Sequence, residues 1–209
     1  IRDSYGTMRR HHEFWTSDNT DACERVFMQW GIGHLFPAIT MAAHVTASPN
    51  HQTKRVTPLK FRFDVAMSGR LGFELQPCDM TKEEVEFSKR ALAEYKRIRP
   101  VVQFGDLYRL SSPYESRVAA LMYVHEKRAV VFAWLMDKWL ADSPPPLRLK
   151  GWNPGARYLV REINLDENGP LANVHERVLG GDYLMDFGIR INWKNAFQSV
   201  CMEVTETGS

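Results

Sequence analysis

The sequence predicts an α/β layer in its first half and an antiparallel β-sandwich in its second, and three observations carry that reading. Before Pro100, short apolar runs alternate with helical periodicity, the order of strands feeding helices. After Pro100, short strand-like runs are separated by turn clusters: Ser143 to Pro146, Asn153-Pro154-Gly155 and Glu167 to Pro170. No linker rich in Gly or Ser joins the halves, so the boundary is set near Gly105, giving domains 1–104 and 105–209 that dock firmly.

The first unit opens with "EFWTS", a short extended run that passes through Ser17-Asp18-Asn19-Thr20-Asp21 into a helix. Ala22, Val26, Phe27 and Trp30 form its apolar stripe, Asp21 and Glu24 fit a capping box with Asn19 and Thr20 as alternative caps, and Gly31 and Gly33 are its expected stop. "LFPAITMAAHV" is a second apolar stretch. "LKFRFDVAMSGRLGFEL", residues 59–75, has the alternating, glycine-broken character of strand. The clearest helix follows: Thr81 and Glu84 form a capping box, Val85, Leu92 and Tyr95 share a face, and Pro100 is the expected terminator. In the second half "LYRLSSP", "AALMYVHE", "AVVFAWLM", "RYLVREINL", "YLMDFGIRI" and "SVCMEVTE" are the expected strands.

With 209 residues, 44% apolar and 25% charged, the chain has enough apolar surface for real cores. A formal net charge of +2 with both signs interspersed gives no nucleic-acid footprint, and the run Arg9-Arg10-His11-His12 reads as a solvated turn. No apolar run is long enough to cross a bilayer as a helix, and neither a membrane nor a nucleic acid is an expected partner. Cys23, Cys78 and Cys201 are odd in number and far apart, which excludes a disulfide framework and a CxxC motif. Unpaired cysteines lean towards a reducing, cytoplasmic compartment, with a periplasmic or secreted one left open by an unseen leader. The chain starts at Ile1 in what reads as the middle of a structural unit, so a piece of a longer protein is expected.

Asp18 is the residue that local structure does not explain. Asp21 is accounted for by its relation to Glu24, whereas a carboxylate three residues outside a helix is not a cap. At the C-terminal end of a strand in an α/β barrel, side chains project towards the open face where chemistry takes place. A complete (β/α)8 barrel takes roughly 250 residues, so the first half supplies only part of one. His44 and His51 match no zinc spacing and read as satisfied or exposed histidines. There is no Walker loop, no GxGxxG and no GxSxG around Ser17, and no cofactor or metal is expected.

"WTSDNTDA" at Trp15 to Ala22, with Arg25 completing an SDxxDxxxR pattern, resembles the α-galactosidases of glycoside hydrolase family 36. "FPAITMAAHVTASPNHQT", "TPLKFRFDVAMSGRLGFEL", "EYKRIRPVVQFGDLYRLSSP" and "LKGWNPGARYLVREIN" extend the resemblance over almost the whole chain, in order. It implies the last strands and helices of a (β/α)8 TIM barrel followed by an antiparallel β-sandwich domain. It implies a retaining mechanism on α-galactoside oligosaccharides such as melibiose and raffinose, with Asp18 as general acid/base, Trp15 as a substrate-binding residue, and Asp21 and Arg25 as structural support. The acid would be held protonated by burial among Phe14 and Trp15 or by a neighbouring carboxylate. The nucleophile would lie upstream, and the assembly would be a homo-tetramer. Two departures stand out: Lys54 replaces the Gly expected after Asn50-His51-Gln52-Thr53, and "IRDSYG" stands where the end of the family's Cys and Gly-rich sugar-binding segment is expected, its glycines being absent or upstream. A non-catalytic carbohydrate-binding or structural module, or a family member cleaving α-N-acetylgalactosaminides or transferring galactose, are the alternatives.

Overall fold

The computed structural model describes residues 5–138 and 143–208. The chain divides into two compact units, residues 1–103 and 104–209.

In the first unit three parallel strands, β1 (Phe14–Trp15), β2 (Met41–Thr46) and β3 (Arg70–Glu74), lie side by side in chain order. Helix α1 (Ala22–Ile32) joins the first pair, α2 (Leu59–Met67) joins the second, and α3 (Lys82–Phe104) follows β3. α1 and α2 contact each other and both pack on β2, so the two crossovers cover the same face of the sheet. Neighbouring strands wound in sequence with their helices on one side form βαβ units that do not reverse direction, unlike a doubly wound sheet. Register fixes which side chains face the helices. Phe14 pairs with Met41, Ala43 with Leu71 and Val45 with Phe73; Phe14 and Met41 cluster with Phe36, and Phe73 packs edge-on against Phe63 of α2.

Three local expectations are corrected. Residues 59–67 are helix, not strand. Their alternation of Lys60, Phe61, Arg62, Phe63 and Asp64 imitates a period of two. In the helix Lys60 and Asp64 stand one turn apart and form a buried 2.6 Å ion pair, while Arg62 donates to the Thr46 carbonyl at 2.5 Å. The α1 helix passes through Gly31 and ends on Gly33, whose N–H reaches the Gln29 carbonyl at 2.9 Å. α3 also continues through Pro100 to Phe104. A proline removes its own N–H from the ladder and its ring crowds the carbonyl four residues before it, but this one is exposed while Val101 and Val102 beyond it are buried, and their burial holds the last turn. The Thr81–Glu84 capping box forms as expected, with reciprocal bonds of 3.0 and 3.2 Å.

The second unit is built on one six-stranded antiparallel sheet. Its strands are β4 (Asp106–Ser111), β5 (Val118–His125), β6 (Arg128–Leu135), β7 (Arg157–Ile163), β8 (Arg177–Gly180) and β9 (Gln198–Gly208), in the spatial order 4-5-6-9-7-8. The expected sandwich thus has one regular layer among the described residues. Its other layer is irregular: Leu147, Leu149, Trp152, Leu171 and Ile189 pack on the sheet from loops and Leu184 from a short helix, held by isolated bridges Leu147–Ile189 and Ala172–Ile191. "YLMDFGIRI" is not a strand. It forms the short helix α4 (Gly181–Asp186) and then turns at Gly188, where φ is +77° and a Cβ would lie 2.6 Å from the Leu147 carbonyl oxygen.

Candidate active site

Parallel sheets are ordinarily apolar on both faces. The helix-free face of the first unit's sheet departs from this. Alternation puts Trp15 on it from β1, Ala42, His44 and Thr46 from β2, and Arg70, Gly72 and Glu74 from β3, with Ala42 paired to both Trp15 and Arg70 and His44 to Gly72. Arg70 ties the N-terminal ends of the strands, through a 2.7 Å ion pair with Glu13 and a 3.2 Å bond to the Ile39 carbonyl. Trp15, the last residue of β1, is level with Ala42 and Arg70, while His44 and Glu74 lie further towards the C-terminal ends of their strands.

Asp18 stands in the loop that leaves β1. The Trp15 indole Nε1 donates to its Oδ1 at 2.9 Å. Arg25, one turn into α1 and buried, reaches back to the carbonyls on both sides of Asp18, with Nε 2.8 Å from Asn19 O and Nη2 2.7 Å from Ser17 O. The same guanidinium lies 4.8 Å from the centre of the Trp15 ring. Burial pushes the Arg25 pKa below its ordinary value, and the negative charges of Glu74 and Asp18 oppose that push. Asp18 itself is exposed and Phe14 packs on Phe36 on the helix side, so the burial expected around the carboxyl is not realised by Phe14. The strand alternation separates Phe14 from Trp15.

Asp21 is the N-cap of α1, its Oδ1 accepting from the N–H groups of Cys23 at 2.8 Å and Glu24 at 3.1 Å. The capping box is only half formed: the Asp21 N–H is taken by Asn19 Oδ1 at 3.1 Å, and Glu24 faces Arg55 at 3.6 Å. Asp21 also ties two loops together. The Thr53 hydroxyl donates to its Oδ2, and Arg55 Nη1 lies 2.6 Å from its Oδ1. The loop after β2 is shaped by Asn50, which accepts from the N–H groups of Gln52 and Thr53 at 2.9 and 3.1 Å, while Thr46 Oγ1 donates to Thr20 O at 3.0 Å.

The sequence-predicted residues Trp15, Asp18, Asp21 and Arg25 therefore meet at one strand exit, with Asp21 and Arg25 both bonded to the loop that carries Asp18. His51 is exposed and its carbonyl accepts from Lys54 Nζ at 2.7 Å. His44, Gly72, Glu74, Thr53 and Arg55 were not singled out for this site from the sequence. The available signal was polar or small residues at every second position of two parallel strands, Ala42-His44-Thr46 and Arg70-Gly72-Glu74.

Comparison with known proteins accounts for both units. Residues 1–105 match the Melibiase family, and residues 118–204 match the glycosyl hydrolase family 36 C-terminal domain. The α-galactosidase AgaA of Geobacillus stearothermophilus is 39% identical over 185 residues, which cover 87% of this chain and 24% of that protein. A variant of AgaA crystallised with raffinose superposes with a TM-score of 0.82 at 36% identity, over 93% of this chain and 26% of that one. The α-galactosidase of Lactobacillus brevis gives 0.83 at 31% identity, over 98% of this chain and 27% of that one. The chain thus spans about a quarter of the length of these relatives. Both of its units match, in order and with the strand exit at Asp18 inside the Melibiase match, and the chain belongs to glycoside hydrolase family 36.

Proposed function

We propose that this chain is the acid/base-bearing C-terminal portion of a retaining α-galactosidase, comprising the last strands of its (β/α)8 barrel and the β-domain that follows. The observation that carries the reading is a single carboxylate, Asp18, held at the C-terminal exit of a parallel strand by Trp15 and flanked by two carbonyls that Arg25 grips. A retaining glycosidase needs two carboxyl groups about 5 to 5.5 Å apart. One attacks the anomeric carbon and forms a glycosyl-enzyme. The other gives its proton to the departing oxygen and, once ionised, takes a proton from the water that hydrolyses the intermediate. Asp18 is assigned the second role and Trp15 a place against the sugar, while the nucleophile comes from residues outside this chain. An oligosaccharide ending in α-linked galactose is the proposed substrate, by analogy with the raffinose bound to the AgaA variant. A homo-tetramer is the proposed assembly.

The test is Asp18→Asn in the complete enzyme. Turnover of raffinose, whose leaving group needs a proton, is expected to fall by about 10² to 10⁴, and formation of the glycosyl-enzyme from an aryl galactoside with an acidic phenol to fall far less. Unchanged hydrolysis of raffinose by this variant removes Asp18 from the mechanism. The isolated 209-residue chain is expected to show negligible turnover. Efficient hydrolysis by it defeats the assignment of the nucleophile to residues outside the chain.

A further inference from the structure

We infer that His44 is a positioning residue for the acid/base, acting through the Trp15 indole; the inference rests on the role proposed for Asp18. The His44 imidazole lies 4.5 Å from the Trp15 ring, centre to centre, at an interplanar angle of 54°. That indole is the donor that holds Asp18 Oδ1. β3 keeps the imidazole in place. Gly72 is the residue paired with His44 in the sheet, and a Cβ there would come within 2.6 and 2.7 Å of His44 Cδ2 and Nε2. Gly72 does not carry a left-handed backbone, so the requirement for glycine is the space taken by the ring. Two residues further on, and on the same face, Glu74 Oε2 borders the ring 3.5 Å from His44 Nδ1 without hydrogen-bonding to it, so the space at Gly72 is what sets the position of the imidazole.

Each of the three strands thus contributes one link: Gly72 locates His44, His44 packs on Trp15, and Trp15 orients Asp18. Arg25 touches the same indole from α1, so removing His44 takes away one of two supports and leaves the other. The imidazole has no assigned contact with substrate or the reacting atoms. Its effect is therefore geometric and falls on the step in which Asp18 gives up its proton.

The experiment compares raffinose with an aryl α-galactoside bearing an acidic phenol, using the complete enzyme and reading the ratio of the two kcat/KM values. The ratio is independent of the fraction of molecules that fold, because the active-enzyme concentration cancels. His44→Ala is expected to lower the ratio about ten- to a hundredfold, the cost of a misplacement of about 1 Å. Gly72→Ala, which displaces the ring without removing it, is expected to lower it in the same direction. His44→Phe, which keeps an aromatic face for Trp15, is expected to recover more than His44→Ala. An unchanged ratio in both His44→Ala and Gly72→Ala overturns the inference when Asp18→Asn, measured alongside, collapses it. An unchanged ratio in Asp18→Asn instead overturns the role of Asp18 itself.

Discussion

The indole N–H of Trp15 is 2.9 Å from Asp18 Oδ1, and the two residues are three apart in a segment that leaves its strand immediately after Trp15. The bond's strength depends on the charge it meets. In the proposed acid role the Asp18 carboxyl would gain negative charge as its proton leaves, and hydrogen bonds to charged groups are worth roughly 1.5–3 kcal/mol against about 1 for neutral ones. Under that proposal the donor would contribute more as the leaving group takes the proton than in the ground state, which is the requirement for lowering a barrier.

Trp15→Phe separates this donor from the ring that carries it. Phenylalanine keeps an aromatic face near His44 and Arg25 but has no N–H. In the complete enzyme kcat for raffinose is expected to fall about tenfold, as the loss of about 1.4 kcal/mol of transition-state stabilisation requires, with KM rising less. A rise in KM with kcat unchanged would mean that Trp15 serves as a sugar-stacking surface and does not act on Asp18.

The parts of the site legible from sequence were those that one segment contains. Trp15, Asp18, Asp21 and Arg25 lie within eleven residues, and cap, strand exit and helix spacing relate them without a fold. His44 and Glu74 are brought to that segment by sheet register, which cannot be recovered from a sequence whose residues 59–67 fit a strand pattern. That fit has a physical origin: a helix buried nearly all round presents no apolar stripe, and its alternation of large apolar and charged residues satisfies the strand template equally well. Pro100 is the opposite case: its local penalty is visible in the sequence, and the burial of Val101 and Val102 that outweighs it is not. In the second unit helix α4 and the left-handed turn at Gly188 replace the continuous strand expected at 183–191.

Lys54 occupies a backbone position suited to glycine. Its φ is +61°, and it lies between Thr53 and Arg55, the two residues that reach Asp21. The left-handed conformation costs an L-residue roughly 1–2 kcal/mol, while glycine brings back about 0.5–1 kcal/mol through the entropy of its unfolded chain. Lys54→Gly is therefore expected to stabilise the chain by up to about 1 kcal/mol, read as a higher urea midpoint at constant slope. Lys54→Ala keeps the strain, loses the bond from Nζ to the His51 carbonyl, and should give no gain. A lower midpoint for the glycine variant than for the alanine variant would show that the entropy of the unfolded chain, and not the left-handed backbone, decides stability here.

Cys23 is the second residue of α1, a position where a helix N-terminus ordinarily favours the thiolate. Burial reverses that expectation. It pushes the Cys23 pKa up from 9.0 to about 11, Asp21 and Glu24 add to the rise, and only Arg55 opposes it. A raised folded pKa means that the native chain holds a proton its unfolded form sheds. The associated stability is complete below about pH 9 and is lost as pH rises through about 11. In reactivity the same shift leaves about one thiol in a thousand ionised at pH 8. Cys201 is also buried, whereas Cys78 is exposed. Iodoacetamide at pH 8 is therefore expected to label Cys78 in the folded chain and to reach Cys23 and Cys201 only after denaturation, as peptide mass spectrometry of the alkylated sites would read. Arg55→Ala removes the one charge that favours the thiolate and should slow Cys23 further, while Asp21→Asn removes a charge that disfavours it. Labelling of Cys23 as fast as Cys78 in the folded protein would mean that the start of α1 opens to solvent, and with it the loop that holds Asp18.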